Sequence, residues 1–183
     1  MENKYYHGLT GGLSFWFEEK ILDESLRVLE LMFKYKGIYC RSILKQLNIP
    51  IFEDPIFEDR APISNGDDYI SICMSNPPDK MEALDNEYFS SFQTYARQKI
   101  AIEFKPSIEQ GCIFRELPYE HLPGERQIYQ SIDISHFNRI LVGLVDLKDE
   151  ALMKLSKICE PYGIPVMTFE EAEYMDSQKI KTK

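Results

Sequence analysis

The first residues able to do chemistry lie in Tyr5-Tyr6-His7-Gly8-Leu9-Thr10-Gly11-Gly12. A short aromatic strand runs into a histidine and then into a glycine-rich loop. Gly8, Gly11 and Gly12 allow a ligand close to the main chain, and His7 carries a donor and an acceptor on one ring. A flat amide or a ribose could be held here by backbone N–H and C=O groups plus one imidazole. The competing reading is an N-terminal strand and a loose turn, with His7 merely exposed. Two further places carry polar groups in ordered-looking context. Ser71 sits inside the alternating run Tyr69-Ile70-Ser71-Ile72-Cys73, and Glu125 and Gln127 follow the turn Pro123-Gly124. Their plain readings are an ordinary strand serine and surface side chains at a strand start. His121 and His136 read as surface residues.

Other chemistries find no support. There is no Gly-x-Ser-x-Gly elbow and no cysteine with an evident histidine partner, which argues against a nucleophilic hydrolase. Cys40, Cys73, Cys112 and Cys159 are widely spaced, with no CxxC pair or Cys/His cluster, so no metal site is expected. Cys40, Cys73 and Cys159 sit in apolar contexts, as buried reduced thiols do.

The elements that must position these residues can be read from periodicity. Residues 3–7 read as a strand and 8–15 as a loop. From Trp16 to Tyr35, Leu22, Leu26, Leu29 and Phe33 recur at helical steps, in one helix or in two pieces with Asp23 capping the second. Lys36-Gly37 is a helix stop, and Cys40, Ile43, Leu44 and Leu47 mark a short second helix before Pro50. Pro50-Ile51-Phe52-Glu53-Asp54 is repeated at once as Pro55-Ile56-Phe57-Glu58-Asp59, within a long acidic loop that is either a lid or a surface flap. Phe52 or Phe57 would pack over a ligand if it is a lid. Residues 69–73 form a strand, Tyr88, Phe89, Phe92 and Tyr95 fall at helical spacing after Asp85, and Ile100–Phe104 is a second central strand. Glu125–Ile132 reads as a strand, Ile140–Leu144 as a buried strand, 148–160 as an amphipathic helix, Ile164–Val166 as an edge segment, and Ser177–Lys183 as a polar tail. Helices and strands do not alternate regularly, so the expectation is an α+β domain over residues 1–176 with mixed or antiparallel split sheets and flanking helices.

Composition bounds the partners. The chain has 183 residues, 44% of them hydrophobic and 13% aromatic, as in a globular domain. A formal net charge of −9 weighs against a phosphate-backbone partner, without excluding a local basic pocket. No signal peptide and no apolar run long enough to span a bilayer are evident. A reducing cytoplasm is expected, or secretion without a signal as an effector.

Three pieces, in their order and spacing, resemble the ADP-ribosyltransferase superfamily: the strand-His7-Gly8 opening, the strand containing Ser71, and Pro123-Gly124-Glu125-Arg126-Gln127 running into a strand. The stretch after His7, with Gly37 and then Arg41-Ser42, is similar to what lies between that family's first two motifs. The resemblance covers most of residues 4–145. It implies an NAD-dependent mono-ADP-ribosyltransferase of bacterial type, with NAD as substrate and no metal. His7 would hold a ribose hydroxyl, Gly8 would bind the nicotinamide amide through its backbone, and Ser71 would brace the site. Tyr88, Phe89 or Tyr95 would stack on nicotinamide. Glu125 would stabilise the oxocarbenium-like charge as nicotinamide leaves, much as a fixed carboxylate serves a glycosidase. Many members carry a second glutamate two residues on. Here that position is Gln127, so either Glu125 or Gln127 occupies the catalytic slot. A histidine opening is commonly paired with a tyrosine in the middle motif, where this chain has Ser71.

Two other functions compete with transfer of ADP-ribose to a macromolecular or small-molecule acceptor. One is a catalytically degenerate relative used for binding or sensing, in a toxin or phage-defence setting. The other is an RNA 2′-phosphotransferase-like enzyme, which needs several cations around a phosphate. Arg41, Arg60, Arg97, Arg115 and Arg126 are the candidates for that role, against the acidic balance of the chain.

Overall fold

Leu22, Val28, Leu29, Met32 and Phe33 share one side of a single uninterrupted helix and bury it against a sheet. A computed structural model of the chain describes residues 4–9, 18–49, 68–74, 100–115 and 125–181. Within them the order is β1 (Tyr5–Gly8), α1 (Glu18–Tyr35), β2 (Gly37–Tyr39), α2 (Arg41–Gln46), β3 (Tyr69–Met74) and β4 (Ile100–Phe104). It continues with α3 (Ile108–Gly111), β5 (Glu125–Tyr129), β6 (Ser131–Asp133), β7 (Phe137–Val142), α4 (Lys148–Cys159), β8 (Val166–Thr168) and α5 (Phe169–Lys181). The segment 85–98 read as helical, the repeated Pro-Ile-Phe-Glu-Asp segment with Phe52 and Phe57, Gly11, Gly12 and the Pro123-Gly124 pair read as a turn lie outside the described residues.

The expectation of an α+β domain with mixed sheets holds. Six strands form one sheet in the order β5-β3-β1-β4-β7-β8, and β2 pairs with β6 in a separate ribbon. All neighbours in the large sheet are antiparallel except β7 and β8. Side chains alternate between its faces. Ile100, Ile102, Ile140 and Val142 meet the apolar cluster that also holds Leu22 and Leu29 of α1 and Leu155 of α4. Ala101, Glu103, Arg139 and Leu141 are buried on the opposite face, where α5 lies.

Several local details differ from the expectation. α1 runs through Asp23, so that residue caps no second piece. Lys36, not Gly37, takes the left-handed turn after α1 (φ 60°), and Gly37 opens β2. A Cβ at Gly37 would stand 2.8 Å from the Ile132 carbonyl oxygen, which is why glycine is needed there. The strand read over Glu125–Ile132 is two strands, broken at Gln130 (φ 62°). The Gln130 N–H donates to Asp68 O at 3.0 Å and its carbonyl accepts from Cys40 N–H at 2.8 Å, so the kink joins the large sheet to the ribbon. Residues 177–181, read as part of a polar tail, continue α5.

Two carboxylates fix helix starts. Glu18 accepts the N–H groups of Val145, Asp146 and Leu147 at 3.2, 3.0 and 3.2 Å, tying the first turn of α1 to the start of α4. Thr168 and Glu171 form a reciprocal capping box at the start of α5, with Thr168 N–H to Glu171 Oε2 at 2.8 Å and Glu171 N–H to Thr168 Oγ1 at 3.1 Å. Among the described residues no helix is long and apolar enough to cross a membrane.

Candidate functional site

The fold places three strands singled out in the sequence side by side. β5 carries Glu125 and Gln127, β3 carries Ser71, and β1 carries His7 and Gly8; they are consecutive in the sheet. Across β3 and β5, Ser71 is opposite Gln127 and Cys73 is opposite Glu125. Across β1 and β3, Tyr6 is opposite Cys73. Glu125, Cys73 and Tyr6 therefore occupy one rung, with Glu125 as the first residue of its strand.

β1 and β3 part company at the candidate site. Their pairing covers Tyr5 and Tyr6, whereas β1 stays paired with β4 through Gly8. Leu9 N–H donates to Ile100 O at 3.0 Å. In an antiparallel ladder, backbone groups of alternate residues point to opposite neighbours. Tyr5, His7 and Leu9 thus face β4, and the N–H and C=O of Gly8 point toward β3, beyond the end of the β1–β3 pairing. Among the described residues nothing stands within 4 Å of where a Gly8 Cβ would be. An amide ligand lying in this gap could meet a donor and an acceptor of one residue.

The side chains of His7 and Gln127 stand on opposite faces of the sheet. His7 pairs with Ile102, a core residue on the α1 side. Gln127 precedes Ile128, which faces that same core, and so points the other way. A ligand reached by both would have to thread the gap between β1 and β3. His7 is half-buried.

Gln127 belongs to a second group that sequence reading did not assemble. Arg115 Nη1 donates to Gln127 Oε1 at 3.1 Å, and the Arg115 guanidinium lies 4.3 Å from the centre of the Tyr69 ring. Tyr69 Oη donates to Tyr129 Oη at 3.2 Å, with ring centres 4.6 Å apart. The hydrogen bond to Tyr129, helped by burial, pushes the Tyr69 hydroxyl above its usual range. The backbone of 113–115 holds Arg115 in place: Arg115 N–H donates to Gln127 O and Tyr129 N–H to Ile113 O, both at 2.9 Å. The only sequence signal was that Tyr69, Gln127 and Tyr129 fall on outward positions of two alternating strands.

Under α5 lies a buried charged group. Arg139 Nη2 donates to Glu103 Oε2 at 2.9 Å and to Asp176 Oδ2 at 2.5 Å, Lys4 Nζ reaches Asp176 Oδ2 at 2.5 Å, and Asn138 donates to Glu103 Oε1 at 2.7 Å. Tyr6 shares this face. Burial first, then Glu103, pushes its hydroxyl well above the ordinary tyrosine range, only partly offset by Arg139. This group anchors α5 and the segment before β1 to the sheet.

His136 is bound elsewhere: its Nδ1 lies 3.2 Å from Ser107 Oγ, and its ring rests on Gly111. Tyr88, Phe89 and Tyr95, the stacking candidates, lie outside the described residues, as do Arg60, Arg97 and His121. Among the described residues no group of three His, Cys, Asp or Glu side chains could hold a metal ion. No protein-family model matches this chain, and no curated protein matches it.

Proposed function

We propose that this chain is an NAD-dependent mono-ADP-ribosyltransferase with an ADP-ribosyltransferase-like fold. The observation that carries the reading is the gap between β1 and β3 at Gly8, with the Ser71 strand and the Glu125 strand next in line. In this reading the nicotinamide carboxamide lies in the gap, accepting from the Gly8 N–H and donating to its C=O. His7 holds a ribose hydroxyl from the α1 side. Ser71 braces the site from β3, and Tyr88, Phe89 or Tyr95 stacks on the nicotinamide ring. Glu125 stabilises positive charge on the ribose as the C–N bond to nicotinamide breaks. Nicotinamide leaves without needing a strong acid, so one carboxylate and a firm clamp suffice. The acceptor, macromolecular or small, then attacks the ribose carbon.

A second reading is NAD binding without turnover, as in a degenerate sensing protein. It is favoured by the Arg115–Gln127 hydrogen bond, which engages the position where many family members carry a second glutamate.

Gly8→Pro tests the carrying observation. Proline removes the N–H that points into the gap while leaving the β4 side of the ladder, where Gly8 donates nothing. Loss of NAD affinity by at least tenfold with an unchanged circular dichroism spectrum supports the reading. Unchanged affinity in a folded variant removes it.

A further inference from the structure

Tyr69, Tyr129, Arg115 and Ile113 stand on one face toward the margin of the sheet, on β3, on β5 and on the segment beside β5, which are one, two and three strand spacings, roughly 5, 10 and 14 Å, from the Gly8 strand. We propose that this cluster is a separate site for a small nucleotide, taking a free nucleoside monophosphate. Three properties point there. Tyr129 is 39% exposed and the neighbouring Ile113 is 72% exposed, which offers an apolar surface to a base. The Arg115 guanidinium is already stacked on Tyr69 and fixed by Gln127 Oε1, so little side-chain freedom is lost on binding. Gln127 occupies Nη1 only; among the described residues Nη2 and Nε have no acceptor and remain as a fork for a phosphate. Aromatic rings and an arginine side by side bind a base by stacking without reading its sequence.

The net charge of −9 selects the size of the ligand. One guanidinium offsets part of the charge of a single phosphate, about −1.5 to −2 at neutral pH, whereas a nucleic-acid strand would bring several phosphates against an acidic chain. Gln127 is a positioning residue here: it sets the guanidinium and need not touch the nucleotide. The site uses neither Gly8 nor His7, but it shares Gln127 with the candidate NAD site.

The test is a titration of the full chain with AMP, followed by NMR of the Tyr ring and Arg Nε–H signals. Adenosine, inorganic phosphate and oligo(dT) are the control arms. AMP is expected to shift the Tyr69, Tyr129 and Arg115 signals at concentrations where adenosine and phosphate do little. Tyr129→Ala and Arg115→Ala should each weaken AMP about tenfold or more. Gln127→Ala should weaken it severalfold and Gln127→Glu, which still accepts from Arg115, should restore it. The assignment is overturned if AMP shifts no signal of the cluster, or if both alanine variants bind AMP as wild type does. Oligo(dT) binding more tightly per nucleotide than AMP would also overturn it, in favour of a strand. NAD competing with AMP for the same signals would make the cluster the adenylate end of the dinucleotide site and end its standing as a separate site. Nicotinamide release from NAD, measured apart, decides the transferase reading whatever this titration gives.

Discussion

Gln127 accepts a hydrogen bond from Arg115 at 3.1 Å, and the same guanidinium lies over the Tyr69 ring. The second residue of the Glu-x-Gln pair is therefore committed to a side-chain network on the face opposite His7. Replacing Arg115 with methionine keeps bulk and removes both interactions. Tyr129, whose hydroxyl partners Tyr69, should become more mobile, read as loss of ring-current shifts. Global stability should fall by no more than about 1 kcal/mol, because the cluster is partly exposed.

Asp176 joins α5 to the sheet through Arg139 and Lys4. Asp176→Asn leaves the shape and removes the charge. A cost of about 1–3 kcal/mol is expected in urea unfolding, below that of a fully buried pair because Asp176 is 22% exposed. Burial raises the Asp176 carboxyl, but hydrogen bonds from Arg139 and Lys4 outweigh it and hold it below the usual carboxylate range. The unfolded chain takes up this proton more readily. The stabilisation is thus fully present above about pH 4 and is lost as pH falls through the folded value. The wild-type stability curve should bend downward in that acid window, and the Asp176→Asn curve should bend less.

Gly111 and His136 are packed so closely that a Cβ on Gly111 would stand 2.3 Å from His136 Cε1. Gly111→Ala must displace the imidazole and break its contact with Ser107. The expected cost is about 1–2 kcal/mol. In the double variant with His136→Ala most of that cost should vanish, a coupling read by a double-mutant cycle. Gly37→Ala meets the Ile132 backbone instead, which cannot swing aside. It should cost more, about 2–3 kcal/mol, with no single side-chain change to rescue it.

Cys159 is fully buried, and burial pushes its thiol up to about 12. Cys112 is half-exposed and raised less far, by burial and then by Asp133. Iodoacetamide at neutral pH should therefore label Cys112 well before Cys159, and Cys159 should react only on unfolding. Mass spectrometry of the timed digest checks the order.

Elements with strong periodicity were legible in the sequence. α1, α4, β3 and β4 fall where Leu22, Leu29, Leu155, Ile72 and Ile102 place them, because each buries a continuous apolar side. α5 was not read, since it buries little beyond Ala172 and is held by Asp176, whose partners Arg139 and Lys4 are remote in sequence. The break at Gln130 was invisible because a left-handed glutamine carries no glycine signal. At the candidate site, the residue types at His7, Gly8, Ser71, Glu125 and Gln127 were legible. Their placement on three adjacent strands, and the opposite faces of His7 and Gln127, depend on pairing register, which no local pattern contains.

The most direct test is nicotinamide release from NAD by the purified chain, beside Glu125→Gln and Gln127→Glu variants. Release by wild type, lost in Glu125→Gln by at least a hundredfold with the protein still folded, is the expected result. No release by wild type in the presence of candidate acceptors, with release gained only in Gln127→Glu, would contradict transferase activity and leave a degenerate binding protein.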